Sequence, residues 1–183
     1  MRGTDSTRHA GARREDGDVL KGLVAGVVGG LVASLAMNQF QALWSKVTEK
    51  AEGTKKKRES HQEEGGGDTT VKAAEAISEA VFAHELTKRE ERVAGPAVHY
   101  AMGATSGALY GALAELMPLV TVGAGLPFGT AVWLVADEAA VPALGLSKPP
   151  TEVPFSTHAY ALASHFVYGL TAEVVRRVVR DAL

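Results

Sequence analysis

The stretch from Pro96 to Met117, PAVHYAMGATSGALYGALAELM, decides how the chain is read. Within it His99, Gly103, Gly107, Gly111 and Glu115 fall four residues apart in one unbroken row. On a helix such residues share a face on successive turns. Three glycines in that row form a smooth groove where a second backbone can come close, as in membrane helix pairs. His99 and Glu115 bracket the groove, about 24 Å apart along the helix axis. They cannot touch each other, so each must find a partner on another helix.

A similar row lies upstream. Residues 19–44 form a long apolar stretch with one charge, Lys21, near its start and Asn38, Gln39 and Gln41 near its end, and Gly22, Gly26, Gly30 and Ser34 repeat every four residues. About 20 apolar residues span the hydrocarbon core of a bilayer, and Trp44 suits an interface. Ser34-Leu35-Ala36 resembles a signal-peptide cleavage site. Against that reading, the preceding segment is long and acid-rich, and apolar character runs on through Phe40 and Leu43. The stretch is therefore read as a retained membrane helix.

The remaining chain sorts by charge. Residues 1–18 mix arginines with acids and show no apolar period, which predicts an unstructured tail. Residues 45–95 form a charged linker plus an amphipathic helix. The linker holds Lys55-Lys56-Lys57-Arg58, Glu63-Glu64 and Gly65-Gly66-Gly67, and reads as solvated. The amphipathic helix is expected over 69–86, lying on the membrane surface or over the bundle's end. Thr87-Lys88-Arg89-Glu90 reads as a capping box opening a short helix. Gly95-Pro96 is expected to interrupt it, with Pro96 in the first turn of the central span.

Residues 96–183 read as a three-helix membrane core with a basic end. After Pro118 a Gly/Pro-rich connection carries Gly123, Gly125, Pro127 and Gly129, so the central span and the next form a hairpin. If that next span covers 119–136, Asp137 and Glu138 sit at the far interface, which is the preferred placement. If Pro127 lies in its first turn and it runs to about Leu144, the acids fall at mid-depth, where ionisable groups are costly and usually functional. The last span runs from Phe155 to about Val175. It places His158 and His165 on one face, with Gly169 and Glu173 continuing it, and ends in Arg176, Arg177 and Arg180, a cytoplasmic type of marker. The first loop nevertheless carries ten Lys/Arg of its own, which opposes that orientation.

The fold class that follows is all-α: a polytopic membrane helix bundle of about four spans, with an amphipathic interfacial helix in the first loop. The packing glycines are Gly22, Gly26, Gly30, Gly103, Gly107, Gly111, Gly125, Gly129 and Gly169. The candidate intramembrane polar network is His99, Glu115, Asp137, Glu138, His158, His165 and Glu173. With the last span parallel to the central one, His158 or His165 would approach His99, and Glu173 would approach Glu115. The composition supports this class: 20 glycines, 6% aromatics and 46% hydrophobic residues in sharply segregated blocks. Zero cysteines exclude disulfides and thiolate metal sites, and a net charge of −2 argues against a nucleic-acid partner. No histidine spacing supports a metal centre, and no cofactor or catalytic residue is expected.

Three stretches resemble one family. They are His99-Tyr100-x-x-Gly103-x-x-x-Gly107-x-x-Tyr110-Gly111-x-x-x-Glu115-x-x-Pro118, Pro142-x-x-Gly145-Leu146-x-x-x-Pro150 and Ser164-His165-x-x-Tyr168-Gly169-x-x-x-Glu173-x-x-Arg176-Arg177. They look like the YagU-like bacterial inner-membrane proteins, whose function is uncharacterised. The resemblance covers the second half of the chain well and the first span loosely, and leaves out the insert 45–68. It implies a multi-pass inner-membrane location and a link to envelope or acid stress. Two readings follow. One is a non-enzymatic membrane protein acting by packing or association with lipid, a second copy or a larger assembly. The other is a small proton, ion or solute transporter using the histidines and carboxylates.

Overall fold

The computed structural model describes residues 5–52 and 67–183, with side chains over 18–48 and 69–183. The run Lys55-Lys56-Lys57-Arg58 and the acids and glycines up to Gly66 lie outside the described residues. Among the described residues the longer helices are, in order, α1 Asp5–Glu52, α2 Gly67–Phe82, α3 Lys88–Leu116, α4 starting as Leu126–Trp133, and α5 Phe155–Ala182. Among the described residues there is no strand.

Helix α1 is longer than the apolar stretch alone required. It takes in residues 5–18, which the sequence reading assigned to an unstructured tail. Once the apolar segment has nucleated a helix, extension adds a hydrogen bond per residue. Ala, Arg and Glu, frequent in 8–15, are good helix formers. Its apolar part is the structural spine. Gly22, Gly26 and Gly30 of α1 meet Gly111, Gly107 and Gly103 of α3 in reverse order, so the two helices run antiparallel. A Cβ on Gly107 would stand 2.8 Å from the Gly30 Cα, and one on Gly111 2.9 Å from the Gly26 Cα. On another edge Gly29 faces Ala172 of α5, whose carbonyl oxygen would lie 2.8 Å from a Cβ there. Trp44 packs on Tyr160 with ring centroids 5.9 Å apart.

The amphipathic helix stops earlier than expected. Ala83 adopts a left-handed φ of 49°, and the Ser78 hydroxyl donates to the His84 carbonyl oxygen at 2.8 Å, so α2 closes at Phe82. Thr87 forms the expected capping box: its side chain accepts from the Glu90 N–H, and its own N–H donates to the Glu90 carboxylate at 2.8 Å. The expected break at Gly95-Pro96 is absent, and α3 runs unbroken through both residues. Gly95 is there for contact, since a Cβ would come 2.7 Å from Val71 Cγ2 of α2.

Between α3 and α4 the chain makes a 3₁₀ turn, Pro118–Thr121, and then a tight corner with positive φ at Gly123, Ala124 and Gly125. The third apolar helix therefore starts at Leu126, and the expected placement over 119–136 is corrected. Pro127 sits in its first turn. The helix widens into π turns over Leu134–Ala140 and finishes with Val141–Ala143. Pro142 lacks the N–H that the Glu138 carbonyl would otherwise accept; at the same place the Val141 N–H reaches back to the Ala136 oxygen. The end is a Schellman closure: Leu146 N–H to the Val141 oxygen at 3.0 Å and Gly145 N–H to the Pro142 oxygen at 2.9 Å, with Gly145 at φ 72°.

Burial is inverted relative to a water-soluble core. The largest fully buried side chains are Glu173, Ser34 and Ser164. Leu109, Leu113, Leu116, Val135, Val174 and Val178 are exposed. A small apolar cluster of Ala33, Met37, Tyr168 and Ala172 completes the interior. One described helix is long and apolar enough to cross a membrane, over Asp18–Thr48 of α1, with mean hydropathy 2.0. Only 39% of its most apolar window is covered by the rest of the chain.

Candidate functional site

The polar residues gather into two clusters, one around His158 and His165 and one toward the C-terminal end of α5, rather than a single network. The rows that place them were visible in the sequence. The His99–Glu115 row faces α1, and the His165–Gly169–Glu173 row faces α4, where Gly125 and Gly129 meet the backbones of Gly169 and His165.

One cluster is built from α4 and α5. Glu138 and His158 Nδ1 are 2.5 Å apart, and His158 Nε2 lies 3.0 Å from the Pro150 carbonyl oxygen. A carbonyl only accepts, so Nε2 carries a proton and donates to it. The Nδ1–carboxylate contact then holds one further proton between two bases. The arrangement pins the Pro-rich loop to the start of α5. Asp137 stands 3.6 Å from His165 Nδ1, which also lies 2.9 Å from the Ala161 carbonyl oxygen and donates to it. Asp137 and Glu138 are sequence neighbours, whereas His165 and His158 lie two turns apart, about 10 Å along α5. The π segment that carries both acids is the local feature that sends them in different directions, and such segments recur at functional sites. His99 belongs to this cluster. Its ring is beside the Ser34 backbone and within electrostatic reach of His165, as the parallel run of α3 and α5 predicts, and its Nε2 is buried without a hydrogen-bond partner.

The other cluster joins α1, α3 and the end of α5. Glu173, 1% exposed, accepts from Arg176 Nε at 2.7 Å, Arg176 Nη2 at 3.1 Å and Arg177 Nε at 2.5 Å. Arg176 also stands over the Tyr110 ring, 5.9 Å from its centroid. Arg180 grips Glu115 through Nε at 2.7 Å and Nη2 at 3.1 Å, and reaches Asp18 of α1 at 3.1 Å. Glu115 and Glu173, expected to approach each other, both lie within electrostatic reach of Arg176. Each is neutralised by arginines first read as an orientation marker. Lys21 donates to the Leu183 carbonyl oxygen at 2.8 Å, closing α1 against the end of α5.

Two tyrosines of the family motifs carry interhelical contacts to which the sequence alone assigns no role. Tyr168 donates to the Gly103 carbonyl oxygen at 2.7 Å and lies 2.9 Å from the Ser106 hydroxyl. Tyr110 stacks on Phe128 with centroids 4.1 Å apart. Both tyrosines directly precede a glycine of a packing row, which sets them beside the seam. Among the described residues no group of three or more histidines and acids is arranged to hold a metal ion.

A family of proteins of unknown function, DUF1440, matches residues 72–174, more than half of the chain. No curated protein and no solved structure matches it. The matched region runs from α2 to late α5 and contains every candidate polar residue and the α3 and α4 glycines. By that match the chain belongs to the DUF1440 family.

Proposed function

We propose that the protein is an integral, multi-pass membrane protein that acts non-enzymatically, by helix packing and association, as a scaffold or accessory subunit. The observation that supports this is the inverted burial: charged and small side chains inside, leucine and valine outside. In water an exposed apolar surface of that extent is a liability, whereas against lipid it is the ordinary outer surface of a bundle. Among the described residues only α1 meets the length and hydropathy expected of a span by itself. Its glycine row is mated turn by turn with α3, and its other edge with α5. Wherever α1 sits in the bilayer, residues 99–115 of α3 and 160–180 of α5 sit at the same depth, and α4 follows through its seam with α5. The bundle then has four crossings, with α2 outside, packed on the start of α3. The likeness to YagU-like proteins adds an inner-membrane location and a role under envelope or acid stress.

The transport alternative is not adopted. Glu115, Glu138 and Glu173 are each matched to an arginine or histidine, and the glycine seams between the clusters bring backbone against backbone. Fractionation tests the main reading. Alkaline carbonate should leave the full chain in the membrane pellet and detergent should release it. Recovery in the carbonate supernatant would refute it.

A further inference from the structure

Three of the bundle's acids accept hydrogen bonds from a cation or histidine: Glu115 from Arg180, Glu138 with His158, Glu173 from Arg176 and Arg177. Asp137 is different. Its polar neighbour is His165 Nδ1 at 3.6 Å, and the proton on that nitrogen is directed to the Ala161 oxygen at 2.9 Å. The Asp137 side chain is 41% exposed, beside Leu134 and Val135, which are 49% and 67% exposed. Helix α4 packs chiefly on α5, so its outer side is uncovered. Ala131, Ala139 and Ala140 on that side are exposed and small enough for close approach.

Position sharpens the point. Asp137 lies eleven residues beyond the start of α4 at Leu126, about 16 Å along the axis. Its neighbour His165 lies at the level where His99 meets Ser34, the midpoint of the Asp18–Thr48 span of α1, and so in the middle of a hydrocarbon layer ~30 Å thick. Water would satisfy this carboxylate at a soluble surface; lipid offers no donor. A second copy of the chain carries no lysine or arginine at that depth. Arg176, Arg177 and Arg180 stand at the far end of α5, Lys21 is bound to the Leu183 carbonyl oxygen, and the exposed Lys46 and Lys148 lie beyond the level of Asp137, near the end of α1 and in the loop after α4.

We propose that the outer face of α4 around Asp137 is a docking surface for a membrane helix of a different protein, one that carries a lysine or arginine at mid-depth. This rests on the membrane reading above and gives the association role a surface and a partner chemistry. The partner's cation completes the hydrogen bonding of Asp137, and the alanines beside it let the two backbones approach.

The test uses the full chain, donor-labelled and reconstituted in liposomes, with acceptor-labelled synthetic transmembrane peptides. One is all leucine, one carries a single central lysine, and one a single central glutamate. Association read by energy transfer should be roughly 3- to 15-fold stronger for the lysine peptide than for the all-leucine peptide, the range set by measured interhelical polar contacts. The glutamate peptide should show no gain. Asp137→Asn should abolish the preference, and Asp137→Glu should retain it. Equal association of the lysine and all-leucine peptides overturns the proposal, as does an undiminished preference in Asp137→Asn. Self-association without peptide that is lost in Asp137→Asn also overturns it, because a second copy would then be the occupant. A chain that fails to float with the liposomes overturns the membrane reading itself. A chain that floats but shows no lysine preference overturns only the docking surface.

Discussion

Replacing Gly107 by alanine adds one methyl group at the middle of the α1–α3 seam. An ordinary carbon–carbon contact is about 3.5–4.0 Å. The new Cβ would lie 2.8 Å from Gly30 Cα and 2.9 Å from Gly30 N, and closer still to the Gly26 carbonyl oxygen. All three are backbone atoms, so no side chain can swing away and the helices must part by about 0.7–1 Å. A gap of that size forfeits a quarter to a half of each contact's attraction. The loss extends to the adjoining layers, Gly22 with Gly111 and Gly30 with Gly103. Overpacking of this kind costs about 1–3 kcal/mol, and backbone on both sides places it at the upper end. Alanine's better helix propensity returns about 1 kcal/mol, leaving a net destabilisation of about 2 kcal/mol. Gly107→Leu should lose more and separate α1 from α3. Ala101→Leu, on the exposed side of the same helix, should change stability by less than about 0.5 kcal/mol. Reversible unfolding in mixed micelles followed by circular dichroism measures all three. If Gly107→Ala matches or exceeds the wild type, alanine's propensity acts unopposed and α1 does not touch α3 there.

Two further outcomes follow from the ion pairs and the cap. Arg180→Ala leaves the Glu115 carboxylate, 16% exposed, without its cation and frees α1 at Asp18. The same unfolding assay should show a loss of about 1–3 kcal/mol, and adding Glu115→Gln should recover part of it. Glu90 is held at about 2, below its ordinary 4.5, by the Thr87 backbone N–H first and then by the Thr87 hydroxyl and His84. A depressed carboxylate stabilises the folded cap at pH above 4.5, and that contribution is lost as pH falls from there through about 2. Amide protection at residues 88–91, corrected for intrinsic exchange, should decline over that window in the wild type. In Thr87→Ala it should already be low at neutral pH.

The parts of the fold legible in the sequence share one physical reason. A row of small residues every four positions has one use on a helix, a seam for close contact, so the Gly22–Ser34 and His99–Glu115 rows declared which faces would meet. The capping box was equally local: Thr87 and Glu90 satisfy each other whatever the rest of the chain does. Partner choice was not local. Whether Glu115 meets Glu173 or Arg180 depends on the axial offset between α3 and α5, which no period within either helix records. The same holds for Asp137 and Glu138, whose divergence toward His165 and His158 accompanies π turns just before Pro142. Pro96 misled because a proline in an exposed helix position costs a hydrogen bond without always ending the helix. Gly95 beside it serves the packing of α2.

The central position of α1 has a consequence for how the chain is made. α1 is complete at residue 52 and α3 at residue 116, so 64 residues separate a finished edge from its mate. At 5–20 residues per second, the newborn helix waits roughly 3–13 s with Gly22, Gly26 and Gly30 uncovered. For that interval the edge is open to any neighbouring helix with a small-residue stripe, including the first helix of a chain leaving the next ribosome. Intertwined dimers formed during synthesis are therefore the characteristic assembly error of this architecture, and crowding of ribosomes on one message is the condition that raises their yield.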